Sequence, residues 1–201
     1  MQTTHPGRVL RTAVLPRATT RSVAIATNVA LVVGFALLTA LMAQIRIHLA
    51  FTPVPITGQT FAVLLSGAAL GSSLGAASQG TYFALGLVFP FYAGGGSGWD
   101  VASGATGGYL VGFVAAAWFV GYLAERRQDR SVATAIPALL AGSVIIHLFG
   151  VPWLAHIANV GGQRAAELGS YPFIAGDLAK VALAGLALPA SWKLVRRLRE
   201  E

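Results

Sequence analysis

The sequence predicts an all-α membrane protein, with six transmembrane helices in one bundle and both termini cytoplasmic. Three observations carry that reading. Of 201 residues, 55% are hydrophobic and only 10% charged, where a soluble domain would carry about a quarter charged. Mean hydropathy is +0.68, and the 24 glycines fit the enrichment of glycine in membrane helices. Basic residues, finally, gather in alternate connections along the chain, as a fixed topology requires.

Residues 1–22 hold Arg8, Arg11, Arg17 and Arg21 with no acid, and Pro6 and Pro16 interrupt any periodicity. They read as a disordered basic cytoplasmic tail, with an Arg-rich, acid-poor transit peptide as the lesser reading. The apolar run that follows outlasts the ~7–15-residue core of a cleaved signal, so it is a first span, 23–45. Further spans are expected at 58–71, 74–91, 107–124, 132–156 and 172–192, against a requirement of roughly 17–25 residues. Residues 23–195 thus form one membrane domain, and 196–201 a short charged cytoplasmic tail. The segment Gly71-Ser-Ser-Leu-Gly75 is the only turn signal between the second and third spans. One long or re-entrant element over 51–91 is therefore the alternative there.

Eleven basic residues fall on one side: four arginines in the N-terminal tail, Arg126, Arg127 and Arg130 after span four, and Lys193, Arg196, Arg197 and Arg199 at the end. Only Arg46 and Arg164 lie in the opposite loops. The net charge of +7 and pI near 10.6 are accounted for by topology and contact with anionic lipid. No nucleic-acid partner is called for. The chain has no cysteine, so disulfides and thiolate metal sites are excluded, and no metal or cofactor is expected.

This orientation places three unusual loops together outside. Leu49 to Gln59 contains Pro53 and Pro55, whose fixed φ makes a stiff lead into a helix. It is either a rigid connection or a pocket wall, with Gln59 placed to face inward. The loop from Tyr92 to Tyr109 is rich in glycine, so Gly95, Gly96 and Ser97 could present backbone groups to a ligand, or the loop could simply be flexible. Gly104, Gly108 and Gly112 add a GxxxG spacing for close helix packing.

Within the last span, Asp177 and Lys180 share one face at i, i+3. A charge at mid-bilayer costs roughly 2.5–3.5 kcal/mol on insertion scales, so the pair marks either a self-neutralising ion pair or the floor of a binding pocket beneath the loops. An intramembrane serine protease of rhomboid type is a competing reading, because Gly95-Gly-Ser-Gly98 has the GxSG form. It needs a histidine within reach of Ser97, and the last span has none. His147 reads as packing and His156 as exposed at the interface. A homo-oligomeric channel would need a continuous polar stripe, which the sequence lacks.

The motifs Phe51-Thr-Pro-Val-Pro-Ile-Thr-Gly-Gln59, Ser78-Gln-x-x-Tyr82, Phe91-Tyr-Ala-Gly-Gly-Gly96, Gly104-Ala-Thr-Gly-Gly-Tyr109, Leu148-Phe-Gly150 and Gly176-Asp-x-x-Lys180 resemble the BioY family. These are the biotin-specific S components of energy-coupling-factor transporters. The resemblance spans about 23–195. It implies a six-helix, substrate-binding, non-enzymatic subunit of the cytoplasmic membrane that captures biotin from outside. A transmembrane coupling protein and cytoplasmic ATPases would then drive import, with a solitary carrier lacking ATPases as the alternative.

On that reading Asp177 takes the ureido N–H groups, and Lys180 the ureido oxygen or the carboxylate. Gln59, Gln79, Tyr82, Gly95, Gly96, Ser97, Trp99, Thr106 and Tyr109 complete the substrate set, with Trp99 and Tyr109 alternatively interface anchors. Gly71-Ser-Ser-Leu-Gly75 and Ala105 depart from the family's Gly-Pro-Arg/Lys and Gly-Pro-Thr patterns, and Ser97 stands where some members carry a basic or amide side chain. The coupling protein is expected at Ala26 and Ala30, although Ala36-x-x-x-Ala40 has the same small-residue spacing.

Overall fold

The computed structural model describes residues 9–15 and 19–200. The chain is mostly helical. Helix α1 (Leu10–Val14) is followed by α2 (Arg21–Gln44), a ribbon of β1 (Arg46–Ile47) with β2 (Ile56–Thr57), α3 (Gln59–Leu70), α4 (Ser72–Gly86) and a short α5 (Trp99–Ala102). Then come α6 (Gly107–Glu125), α7 (Val132–Ala158), α8 (Gly162–Gly169), a 3₁₀ turn at Tyr171–Phe173, and α9 (Ile174–Glu200). Among the described residues, four stretches are long and apolar enough to cross a membrane: Arg21–Gln44, Gly107–Glu125, Val132–Ala158 and Gly162–Leu198. Helices α3 and α4 stand where the second and third spans were expected, but have 12 and 15 residues, roughly 18 and 22 Å at 1.5 Å per residue.

The disordered tail is corrected where it is described. Val9 and Ala13 are buried, and Arg11 donates from Nε to the Leu70 carbonyl at 2.9 Å and from Nη1 to Asn28 Oδ1 at 3.1 Å. The arginine does more than repel an outer surface: it satisfies a carbonyl left open at the C-terminal end of α3. Arg8, Arg17, Pro6 and Pro16 lie outside the described residues.

Between α3 and α4 the chain reverses at Gly71, with φ of 88°, a conformation that favours glycine. Residues 51–91 are therefore not one long continuous element: the chain turns back within them. Glu125 of α6 closes the reversal, its Oε1 accepting from Ser72 N–H and Ser72 Oγ at 2.8 Å each. A carboxylate at a helix N-terminus satisfies open donors and meets the favourable end of the dipole.

Helix α6 is the hub, packing against α3, α4 and α7. A Cβ at Gly121 would lie 2.4 Å from the Gly71 carbonyl carbon, so only glycine admits this approach. The expected GxxxG packing is seen at Gly108 and Gly112, both facing α7. Two hydrophobic clusters result. One, near the loops 48–58, 87–106 and 159–170, is built on Tyr82, Tyr92, Tyr109, Phe113, Ile146 and Phe173. The other, at the opposite end, contains Leu64, Ala68, Val120, Ala124, Val181, Ala184 and Leu188.

The two alanine patterns of α2 separate cleanly. Ala36 and Ala40 are buried in the core, while Ala26 and Ala30 are exposed.

Candidate functional site

Asp177 sits one turn into α9 and is 6% exposed. Its carboxylate gathers four hydrogen bonds from three helices. Oδ2 accepts from Ser143 Oγ at 3.0 Å and faces His147 Nε2 at 2.9 Å. Oδ1 accepts from Lys180 Nζ at 3.1 Å and from Thr60 Oγ1 at 3.3 Å. Lys180 also donates to Thr60 Oγ1 at 2.8 Å, so this hydroxyl accepts from the ammonium and passes its own proton to the carboxylate. Ser143 and His147 are i, i+4 on α7 and necessarily share a face. A buried carboxylate persists where donors replace its water, and this one has a full set.

Asp177 and Lys180 therefore hold each other, and both also line a cavity. Its walls are aromatic and aliphatic: Tyr82, Tyr92, Tyr109, Phe113, Phe173, Leu110 and Ile146. Its polar groups are Thr57, Gln59, Thr60, Thr106, His147, Asp177 and Lys180. Val54 and Pro55, from the proline loop, and Ala93, from the glycine loop, close the side away from the bundle. Thr52 Oγ1 ties the proline loop to the Leu168 carbonyl of α8 at 2.6 Å. The proline loop is thus a pocket wall, and its stiffness serves to hold that wall in place.

The tyrosines are fixed through their hydroxyls, as buried tyrosines usually are. Tyr82 receives a hydrogen bond from Gln59 Nε2 at 2.7 Å and donates to the Phe91 carbonyl at 3.2 Å. Tyr109 donates to the Gly169 carbonyl at 2.6 Å and is 7% exposed, which places it in the cavity wall and not at a membrane interface. Tyr92 stands edge-on to Tyr82 with ring centres 5.9 Å apart.

Of the expected substrate residues, Asp177, Lys180, Gln59, Tyr82, Thr106 and Tyr109 line this cavity, and five do not. Gln79 is buried elsewhere, its Nε2 donating to Ser66 Oγ at 2.9 Å with Thr39 Oγ1 at 3.3 Å. It ties α4 to α3 and α2. Gly95 and Ser97 are exposed, Gly96 accepts from Tyr92 N–H at 3.0 Å, and Trp99 is 66% exposed. The glycine loop reaches the cavity through Tyr92 and Ala93 instead. At Gly94, with φ of 74°, a Cβ would collide with the Arg46 guanidinium. This glycine makes room for a β1 side chain.

The reading of His147 is corrected. His147 is no packing residue: Nε2 meets Asp177, and Nδ1 lies 3.2 Å from the Gly169 carbonyl oxygen. With both nitrogens engaged and Ser97 exposed in a loop, His147 offers that serine no base. His147 was legible by the argument that singled out Asp177, since an ionisable residue in an apolar span is costly wherever it occurs. Thr57, Thr60, Ser143, Tyr92 and Phe113 carried no such signal. Helix register places Thr60, Ser143 and Phe113, the β1–β2 ribbon places Thr57, and the loop after α4 places Tyr92.

A family model described as the BioY family matches residues 13–197. The chain is 39% identical over 160 residues to a probable biotin transporter BioY of Pyrococcus horikoshii, covering 79% of this chain and 92% of that protein. It is 34% identical over 148 residues to the biotin transporter BioY of Rhizobium etli, covering 70% and 79%. Among solved structures, the S component for biotin of an ECF-type ABC transporter superposes with a TM-score of 0.75 at 25% identity, covering 92% of this chain and 96% of that one. On this match, extending over nearly its whole length, the chain belongs to the BioY family.

Proposed function

We propose that the protein captures biotin and serves as the substrate-binding subunit of an energy-coupling-factor transporter in the cytoplasmic membrane. It is a transporter component and not an enzyme. The observation that carries this is the Asp177–Lys180–Thr60 cluster at the base of an aromatic-walled cavity. Biotin offers two ureido N–H donors beside a strong carbonyl acceptor, an apolar sulfur ring and chain, and a carboxylate. Asp177 suits the N–H donors, Lys180 the ureido oxygen or the carboxylate, and Tyr82, Tyr109 and Phe113 the apolar body.

The six main helices α2, α3, α4, α6, α7 and α9 are taken as spans, with both termini cytoplasmic and the loop end outside. The basic residues of the tails and of the loop 126–131 support this orientation. Ala26 and Ala30 are proposed to meet the coupling protein. They are exposed, and the stripe continues to Gly34, around which a Cβ would meet nothing within 4 Å. The test is calorimetric titration of the purified chain with biotin, where saturable binding is expected and no heat of binding would refute the reading. Uptake by the chain reconstituted with and without ATPase subunits distinguishes a coupled subunit from a solitary carrier.

A further inference from the structure

On the orientation proposed above, the outer connections carry two arginines, Arg46 and Arg164. A cation on that face runs against the rule that orients the bundle, so each needs a local reason. Arg164 has one: it pairs with Glu167 at 2.9 Å on α8. Arg46 does not. Among the described residues, no carboxylate lies within ion-pair distance of it, and the adjoining loops 48–58 and 87–106 contain no lysine or other arginine.

The ribbon decides where Arg46 points. In its antiparallel register Arg46 stands opposite Thr57, and Ile47 opposite Ile56. Cross-strand partners put their side chains on one face, and Thr57 lines the cavity, so Arg46 leaves the ribbon on the cavity face. The ribbon is held at its base, where Gly58 N–H donates to the Ile45 carbonyl at 3.0 Å, and beside the glycine loop, where Gln44 Nε2 donates to the Tyr92 carbonyl at 3.2 Å. The guanidinium ends over Gly94, where a Cβ would collide with Nη1 and stand 3.0 Å from Nη2. Tyr92 and Ala93, immediately before Gly94, both line the cavity. Ribbon register and glycine loop thus bring the same side chain to the same edge, and it is exposed there.

At the cavity floor, Lys180 Nζ is already engaged by Thr60 Oγ1 and Asp177 Oδ1. A ligand carboxylate seated on that ammonium would also face the Asp177 carboxylate, and like charges repel. Arg46, with no carboxylate of the chain beside it, presents N–H donors in a planar fork that matches a carboxylate's two oxygens.

We propose that Arg46 binds the ligand's carboxylate on the loop side of the cavity, leaving the Lys180 ammonium to the ureido oxygen. The carboxylate is biotin's on the reading given above, on which this role rests. Biotin's ureido group and carboxylate stand at opposite ends of an apolar body, so the floor reads one end and Arg46 the other. The site thereby selects the free acid over its neutral derivatives.

The test is calorimetric titration of the full chain with biotin and with biotin amide, in which a neutral CONH₂ replaces the carboxylate and the rings are unchanged. Wild type is expected to bind biotin about five- to tenfold more tightly than the amide, the size of one partly exposed, bidentate charge pair. Arg46→Met should lose that factor toward biotin and keep the wild-type affinity for the amide. Arg46→Lys, which keeps the charge without the fork, should recover part of the loss. High salt should narrow the wild-type preference for the acid and leave Arg46→Met unchanged. Lys180→Met should weaken both ligands by the same factor, since the ureido group is common to them. The melting temperature of Arg46→Met, an exposed position, should match wild type.

Equal wild-type affinity for the two ligands, an equal loss of both in Arg46→Met, full biotin affinity in that variant, or a preference for the acid that vanishes in Lys180→Met overturns the role of Arg46 while the biotin reading stands. If wild type binds neither ligand, the biotin reading falls and the role of Arg46 with it.

Discussion

Replacing Asp177 with asparagine keeps the size of the side chain and removes its charge. The carboxylate accepts two hydrogen bonds on each oxygen, whereas an amide NH₂ accepts none. If the NH₂ takes the Oδ1 place it confronts Lys180 and Thr60, and if it takes the Oδ2 place it confronts Ser143 and His147. A hydroxyl can turn to accept, but the ammonium cannot. At least one charge-assisted bond is lost, about 1.5–3 kcal/mol, and Lys180 remains enclosed with its counter-charge gone. Removing one member of a buried ion pair costs about 3–5 kcal/mol. Lys180, whose side chain is 16% exposed, opens onto the cavity, which places the cost near the lower end, about 3 kcal/mol. At roughly 2–4 °C per kcal/mol for a chain of this size, the melting temperature should drop by about 6–12 °C. Biotin affinity should fall by more than about 2 kcal/mol. The decisive variant is Asp177→Asn with Lys180→Met. Because it leaves no unpaired ammonium, it should melt above Asp177→Asn alone. A double variant whose loss equals the sum of the two single losses would refute the pairing argument.

Four further outcomes are expected. Ala30→Leu should leave biotin titration unchanged yet abolish uptake in the assembled transporter, while Ala36→Leu, at a position 1% exposed, should lower the melting temperature of the isolated chain, because overpacking costs about 1–3 kcal/mol. Glu125→Ala removes the acceptor for Ser72 N–H and Oγ and should destabilise by about 0.5–2 kcal/mol, read as a lower melting temperature with biotin affinity intact. Gly121→Leu, forced against the Gly71–Ser72 backbone, should prevent accumulation of folded protein in the membrane fraction, whereas Gly80→Ala, with open space around it, should be neutral. Burial pushes the Asp129 carboxyl above its ordinary value, against the opposing pull of the Trp192 N–H and Arg130. Its folded state therefore holds the proton more tightly than the unfolded chain, so stability is lost as pH rises through the interval above the ordinary carboxyl value. Asp129→Asn should flatten that part of the pH–stability curve.

The positions of the main helices were legible because hydropathy and breakers act locally: the break at Gly71 needs a left-handed residue, and the sequence offers one there. Asp177 and Lys180 were legible because a charge in an apolar helix is costly and two at i, i+3 share a face. What failed was any judgement requiring knowledge of which neighbour a side chain would meet. Gln79 has the polarity of a ligand-binding amide, but three small hydroxyls from Thr39, Ser66 and Ser78 consume it. Ser97 and Trp99 sit in a loop whose composition suggests a ligand cradle, yet the residues of that loop that line the cavity are Tyr92, Ala93, Thr106 and Tyr109. Thr60, next to Gln59, has no charge to single it out. One step of helix register, about 100°, carries it to the ion pair.

The cavity itself follows from a gradient of residue size along the helices. At the start of α6 stand Tyr109 and Phe113, and toward its end stand Ala116, Ala117, Gly121 and Ala124, all buried. Small residues let backbones meet: a Cβ at Gly67 would lie 2.4 Å from the Ala117 carbonyl oxygen, so α3, α4 and α6 close completely at that end. At the loop end the aromatic rings hold the same helices apart, and their hydroxyls are anchored to backbone carbonyls, so the rings cannot collapse into the gap. Helix α9 repeats the gradient, with Asp177 and Lys180 facing the gap and Val181, Ala184 and Leu188 facing the closed end. The charged pair therefore lies at the boundary between the closed core of Val181, Ala184 and Leu188 and the cavity, within reach of a ligand. Moving it one turn toward the C-terminus, to the level of Ala184, would bury it among residues that offer no donors, where its desolvation would go uncompensated.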